Sequence, residues 1–337
     1  MSSTEYAGQG YGARTPLHLL TAFTNPNGGS ENRTLELFSL LQPHGKVQLW
    51  SNQPPSRGFS AYPIQVIHPY RGVFPTGGTL AIIGPHTGVG PWLKHAALQR
   101  TIVHANLHPY HYLFRLLETL DEFGISAPEI VYASKLLQDE IGLAGAVEAS
   151  PIDLSAFHPA ANQPDRAFTI GRLSRDQVFK HHREDAMLYM MLAEQGCAVR
   201  IMGGTVLHDR LRQSTAIGLL AEGAVAAPDF LRQLDCFFYR TAEHLCEASG
   251  RVVFEAMACG LPVVCGRRGG YAEHIRHGEN GFLVGTQEEA FDCIIALKAD
   301  VALRERVGRS ARETVEKLYD ASYRQELIRF YLGVTPP

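Results

Sequence analysis

Continuous apolar runs alternate with helix-periodic segments along most of the chain. The first run, Leu17–Phe23, is broken by Asn25-Pro-Asn-Gly-Gly-Ser30, and a helix follows with Leu35, Phe38 and Leu41 on one face. Ser30 is the expected N-cap, which leaves Gly28 and Gly29 lining a strand-to-helix turn that needs glycine for close backbone approach. Further strands are predicted at 46–52, 64–70, 79–84, 101–106 and 129–134. Tyr132-Ala-Ser134 then leads into a helix stopped by Gly142. Runs that are apolar throughout, rather than alternating, belong to strands buried on both faces of a parallel sheet.

The second half repeats the scheme. A strand at 167–173 carries Gly171-Arg172-Leu173. A helix over 186–195 precedes a strand, Cys197–Met202, that runs into Gly203-Gly204. A helix at 230–234 and a strand at 235–239 follow. Beyond 284, helices are expected at 288–297, 301–319 and 321–332. Alternation of this kind predicts an α/β chain with parallel sheets and helices on their faces.

The most informative stretch lies between residues 247 and 273. Glu247-Ala-Ser-Gly-Arg-Val-Val-Phe-Glu255 places two carboxylates around a helix start, the helix stops at Gly260, and Leu261–Cys265 reads as a buried strand. Gly269-Gly270 then leads to the next helix. A loop before a helix start turns backbone N–H groups and the positive helix end toward a phosphate. Both carboxylates can face a ligand docked there.

Composition narrows the classes. At 337 residues, 45% of them hydrophobic and 19% charged, the chain suits two globular domains. A net charge of −3 argues against a nucleic-acid partner. The six cysteines all follow residue 196 without a Cys-x-x-Cys. With no secretory leader evident, reduced buried thiols in a cytoplasmic protein are expected. No run reaches the length of a membrane span. Gly88-Val-Gly90 lacks the third glycine of a dinucleotide fingerprint. His104, His108 and His111 fall within eight residues but without a Cys or Glu at ligand spacing, so no metal site is expected. Residues 108–120 hold aromatics beside few basic residues. They read as a core-facing helix, with peripheral contact at the inner face of a membrane the less favoured reading.

Glu247-x7-Glu255, Ala256-Met-Ala-x-Gly-x-Pro-Val-Val264 and Gly269-Gly-x-x-Glu273 resemble the retaining GT-B glycosyltransferases of family four, the group 1 glycosyltransferases. The resemblance is strong over 247–284 and weaker over 16–41 and 167–204. It implies two Rossmann-like domains facing each other across a cleft, with a C-terminal helix crossing back to the first domain. The boundaries expected are a flexible tail at 1–14, an acceptor domain at 15–155, a nucleotide-sugar domain at 156–319 and the returning helix at 320–337.

The implied activity is transfer of a sugar, a hexose by preference, from a nucleotide-diphosphate sugar to an acceptor hydroxyl on a glycan, lipid-linked or small-molecule acceptor. No cofactor is implied, and no bridging metal, since no Asp-x-Asp occurs. By the same resemblance Arg172, Lys180, Gly29, Gly250, Arg251 and Val252 hold the donor phosphates. Glu247, Ser249 and Glu255 hold the sugar and ribose, while Gly171, Gly203 and Gly204 lie against the nucleotide. Glu247 stands at the reacting centre, with His108 or His104 orienting the acceptor. The chain departs from the family at two places. Gln177 stands where a lysine is usual, leaving Lys180 as the substitute, and Arg240-Thr241 replaces Pro-Ser. A nucleotide-sugar epimerase, a sugar phosphorylase or a non-catalytic nucleotide-sugar-binding subunit on the same fold remain alternatives.

Overall fold

The computed structural model describes residues 15–160, 166–211 and 214–333. The expected tail at 1–14, residues 161–165 and 212–213, and the last four residues lie outside the described residues. The first elements are β1 (Leu17–Leu20), α1 (Gly29–Leu41), β2 (Val47–Ser51), β3 (Ile64–Val66), β4 (Thr79–Ile83) and β5 (Arg100–Ala105). After these come α2 (His111–Glu122), β6 (Glu129–Tyr132), α3 (Lys135–Ile141) and β7 (Ala146–Val147). The second series is β8 (Thr169–Leu173), α4 (Asp185–Glu194), β9 (Ala198–Met202), β10 (Ile217–Leu220), α5 (Ala227–Leu231), β11 (Cys236–Tyr239), α6 (Arg251–Ala258), β12 (Val263–Gly266) and β13 (Phe282–Val284). It closes with α7 (Gln287–Ala299), α8 (Val301–Leu318) and α9 (Ala321–Leu332).

These elements form two compact units. One comprises Met1–Ala133, Ile141–Pro151 and Tyr319–Pro337, the other Ser134–Glu140 and Ile152–Leu318. Each is built on a parallel sheet. The first has strand order β3-β2-β1-β4-β5-β6-β7 and the second β10-β9-β8-β11-β12-β13. Counted within each unit, both begin 3-2-1-4-5-6, the doubly wound order in which ligands bind beyond the carboxyl ends of the two central strands. In the second unit those strands are β8 and β11, paired through Cys236 with Ile170 and Phe237 with Gly171.

The first unit's core joins Leu19, Phe23, Leu37 and Ile102 to Leu327, Ile328, Tyr331 and Leu332 of α9. The last helix thus returns to the first sheet's unit. Burial of each such side chain is worth roughly 1.5–3 kcal/mol. The Asp320 carboxylate caps α9 by accepting from Tyr323 N at 2.9 Å. Helix α3 sits with the second unit because the Glu273 carboxylate accepts from the N–H groups of Lys135 (3.1 Å) and Leu136 (2.6 Å). Ser134 accepts from Leu137 N, as expected of an N-cap. At the front of α1 the structure differs from the sequence reading. Gly28, not Ser30, is the N-cap, and the Glu31 carboxylate folds back so that a Cβ on Gly28 would lie 2.0 Å from it. The Ser30 hydroxyl instead accepts from the Asn106 amide at 3.2 Å. Strand β3 is shorter than predicted, and β10, whose residues are only partly buried, carried no clear apolar run.

Candidate functional site

The carboxyl ends of β8 and β11 lead into the loops 174–184 and 240–250, and these bring Lys180 and Glu247 together. The Lys180 ammonium forms an ion pair with Glu247 Oε1, and the Tyr239 hydroxyl donates to the same oxygen at 2.8 Å. Both side chains of the pair keep some exposure, 11% and 14%. Burial pushes the Glu247 carboxyl up, but the Lys180 charge and the two hydrogen bonds outweigh it and hold the group below the ordinary carboxylate range. Glu247 is therefore ionised at neutral pH.

Beyond Glu247 the chain enters α6 through Gly250, which adopts a left-handed conformation (φ 73°) that favours glycine. Added bulk is also blocked, since a Cβ would lie 2.2 Å from the Tyr271 ring. Gly250, the N-cap, has no side chain to cap α6, and the first turn of the helix, Arg251 and Val252, begins beside half-buried Ser249. Glu255, one turn on, is 6% exposed and accepts from Arg251 Nε at 2.7 Å. Burial raises its carboxyl above the ordinary value against the opposing pull of Arg251.

Several sequence-derived expectations need correction. Arg172 does not present a guanidinium to solvent. It is fully buried, donates to the carbonyls of Arg240 (2.8 Å) and Lys180, and stacks 4.8 Å over the Tyr239 ring. Asp185, also 0% exposed, lies between Arg172 (3.5 Å) and Arg240 (2.8 Å). Arg172 thus fixes the loops that carry Lys180 and Glu247. Arg240, the departure from the family's Pro-Ser, completes this buried lock, and the Thr241 hydroxyl donates to the Leu245 carbonyl at 3.0 Å. Gly171 is a packing glycine, since a Cβ would meet Leu234 at 2.6 Å and the Arg200 carbonyl at 2.7 Å. Gly203 (φ 74°) lets the backbone of Ser174 approach, where a Cβ would be 1.9 Å from its carbonyl oxygen, and Gly204 accommodates Ile201. These glycines serve the protein's own packing.

His104 is corrected as well. It is 0% exposed on β5, and its Nε2 lies 2.8 Å from the Tyr331 hydroxyl, which donates to Glu148 at 2.7 Å. Because that hydroxyl proton goes to Glu148, the imidazole donates through Nε2. Burial and the nearby Arg33 charge hold His104 well below its ordinary value. A sealed, neutral histidine cannot orient an acceptor. His108 is half-buried after β5, with its ring edge-on to Tyr110 at 5.5 Å. Gly29 opens α1 with nothing within 4 Å of its Cβ position. Both belong to the first unit. In α2, Leu113, Leu116 and Leu120 face the core while Tyr112 and Phe114 are exposed. Among the described residues no group of histidines, cysteines and carboxylates is arranged to hold a metal ion, and no helix is long and apolar enough to cross a membrane.

Sequence reasoning passed over two residues at the site, Tyr239 and Asp185, which have no motif to mark them. Another buried group, His181, donates from Nε2 to the Gly203 carbonyl at 2.9 Å and ties the Lys180 loop to β9. Burial, with the Arg172 charge second, pushes it down to about 3.

Residues 220–314, which contain Glu247, α6 and Glu255, match the family model of the group 1 glycosyl transferases. The N-acetyl-alpha-D-glucosaminyl L-malate synthase of Bacillus anthracis is 44% identical over 71 residues, covering 20% of this chain and 19% of that protein. The spore coat protein SA of Bacillus subtilis is 23% identical over 205 residues, covering 50% and 52%. The chain thus matches at most about half the length of these relatives. Among solved structures, Anabaena HepE in complex with UDP and glucose superposes with a TM-score of 0.77 at 18% identity, covering 95% of this chain and all of that one. The sucrose-phosphate synthase of Thermosynechococcus elongatus gives 0.71 at 16% identity, covering 94% and 98%. At such identities the likeness is one of fold, and the fold is GT-B. Over residues 220–314 the chain is similar to the group 1 glycosyltransferases.

Proposed function

We propose that the protein is a retaining, metal-independent glycosyltransferase that takes a nucleotide-diphosphate sugar in its second unit and moves a hexose to an acceptor hydroxyl. The observation that carries this reading is the Lys180–Glu247–Tyr239 cluster beside the Gly250-led start of α6, at the carboxyl ends of β8 and β11. The match of residues 220–314 to the group 1 glycosyl transferase family model and the UDP bound to the HepE structure support the donor class.

The charge that must be stabilised is the leaving diphosphate. Lys180 and the first-turn N–H groups of α6 supply fixed positive potential where it develops. Both protein bonds to Glu247 use Oε1, so Oε2 is the atom that receives a sugar hydroxyl. Glu255 accepts from the ribose. The bond from the anomeric carbon to the diphosphate oxygen breaks. The acceptor oxygen then bonds to that carbon on the same face, and the departing phosphate takes the acceptor proton. Cations of the protein do the work of a bridging metal, in keeping with the absence of Asp-x-Asp from the sequence.

The test is a thermal-shift panel of UDP-, GDP-, ADP- and dTDP-sugars, followed by turnover with the donor that binds, in the presence of a chelator. Binding with release of nucleoside diphosphate in chelator is expected. Strict dependence on added divalent metal would sink the metal-independent reading, and no binding of any donor would sink the whole proposal.

A further inference from the structure

Resting on the proposed transfer reading, we infer that Glu273 is a positioning residue for the transfer step: it clamps α3 onto the turn that holds the backbone of Glu247. That turn is Gly270–His274, entered through Gly269. On one side it meets the loop carrying Glu247. Gly269 pairs with Glu247 as a parallel bridge, and Gly270 N donates to the Glu247 carbonyl at 2.9 Å. Buried Tyr271 fills the space against Gly250 and Gly269 and stands edge-on to Tyr239, whose hydroxyl holds Glu247 Oε1. On the other side the turn meets the start of α3. A Cβ on Gly270 would lie 2.5 Å from the Ser134 Cβ and 2.4 Å from the Ala248 carbonyl oxygen. Ser134, the turn and the Glu247–Ala248 backbone are therefore in direct succession, with no room for a side chain at Gly270.

Helix α3 has only seven residues, too short to hold together alone in water, and the N–H groups of its first turn are all taken. Glu273 Oε2 accepts from Lys135 N at 3.1 Å and Oε1 from Leu136 N at 2.6 Å. Ser134 Oγ accepts from Leu137 N and the Ser134 carbonyl from Gln138 N, each at 3.2 Å. Two of the four bonds thus go to Glu273, and its carboxylate sets where α3, and with it buried Ser134, rests against Gly270. Those two bonds lie at the surface. Water can replace them, so their loss frees the clamp without leaving buried groups unpaired. The displacement passes from Ser134 to Gly270 and on to the Glu247 carbonyl, and it shifts the carboxylate that receives the sugar hydroxyl.

Steady-state kinetics, nucleotide calorimetry and amide exchange on the full chain test this. Glu273→Gln keeps the size of the side chain but only one acceptor oxygen. Its kcat with the best of the UDP-, GDP-, ADP- and dTDP-sugars is expected to fall about tenfold, within the ~10²-fold that a misplacement of about 1 Å can cost. Affinity for the free nucleoside diphosphate should change less than about twofold, since the contacts of Glu247 are with the sugar. Exchange of the Gly270 amide should quicken about tenfold in parallel. Glu273→Asp, with both oxygens on a shorter arm, should recover part of kcat. Lys135→Pro removes one of the two donors at the first helical position, where proline is tolerated, and should show the same signature at smaller size if Glu273→Gln melts early. Wild-type kcat in Glu273→Gln, equal losses in kcat and nucleotide affinity, or a lower kcat with Gly270 exchange unchanged overturns the inference and leaves the transfer reading standing. Wild-type protein that turns over none of the four donors overturns both.

Discussion

Two buried charge clusters, one in each unit, look alike in composition and differ in what they leave open. In the first unit Arg33 bonds Glu148 at 2.5 Å, Glu148 accepts from Tyr331, and His104 stacks on that tyrosine with its ring 8° from parallel. Arg33 and Glu148 are 2% and 6% exposed, and Tyr323 adds a hydrogen bond from α9 to the Ala149 carbonyl. This cluster is closed and fastens α9 to α1 and to the residues beyond β7. The second unit splits the same ingredients into layers. Arg172, Asp185 and Arg240 form a closed inner layer, and on it rest the buried Tyr239 and the Lys180–Glu247 pair, which retains access to solvent. Burial of charge is common to both clusters. Residual exposure over a buried support is what marks a place where a charged ligand can be received.

The closed layers should give the largest effects on stability. Removing one partner leaves a charge buried without compensation, at a cost of roughly 3–5 kcal/mol. Arg33→Ala in the first unit and Asp185→Asn in the second are each expected to lose stability on that scale in denaturant titrations. A loss below about 1 kcal/mol in either would mean water reaches the cluster and that it is not closed.

The doubly wound architecture was legible because continuous apolar runs such as Val263–Cys265 and glycine stops such as Gly260 are local signals. The pair Glu247 and Glu255 stood out because both lie close in sequence around one helix start, Glu247 on the loop before α6 and Glu255 one turn inside it. What escaped was rotation and distant partnership. Sequence places Arg172 at the right end of β8 for a ligand, but its carbonyl partner on Arg240 lies 68 residues away and its carboxylate partner opens α4. His104 ends a strand in a histidine-rich segment that invites a catalytic reading, yet the tyrosine that seals it comes from α9, 227 residues later. Neither contact has a local signature.

The outer layer should behave in the opposite way. Lys180→Ala is expected to lower transfer turnover by ~10²–10³-fold, the range seen when one fixed donor to a developing anion is removed. Its melting temperature should fall far less than that of Asp185→Asn. Steady-state rates and melting curves on the same preparations check both halves. If Lys180→Ala unfolds as readily as Asp185→Asn, the outer layer is structural too and the contrast between the clusters fails. Glu255→Gln should have a smaller effect, about tenfold in donor affinity, or ~1.4 kcal/mol. Because the amide keeps its size, calorimetry with unchanged nucleotide affinity would remove Glu255 from the ribose contact.

The smallest expected effect separates the support of the site from its ligand-facing layer by pH. His181 carries its proton with a pKa of about 3 in the folded chain against an ordinary 6.5. Between those values the unfolded chain binds a proton that the folded chain refuses. Its neutral form therefore stabilises fully above about pH 6.5, and that contribution is lost as pH falls toward 3, with a slope of at most ~1.4 kcal/mol per pH unit for one proton. In His181→Gln the amide can still donate to the Gly203 carbonyl but does not titrate. The variant should cost most stability at pH 7.5 and progressively less toward pH 5, so that its unfolding free energy approaches that of wild type on acidification. Glu247, held below the carboxylate range, stays ionised through that interval, and nucleotide affinity should change little over it. Parallel stability curves for the two proteins would show that His181 charges freely in the fold, and the loop carrying Lys180 would then not be fastened to β9 through a neutral ring.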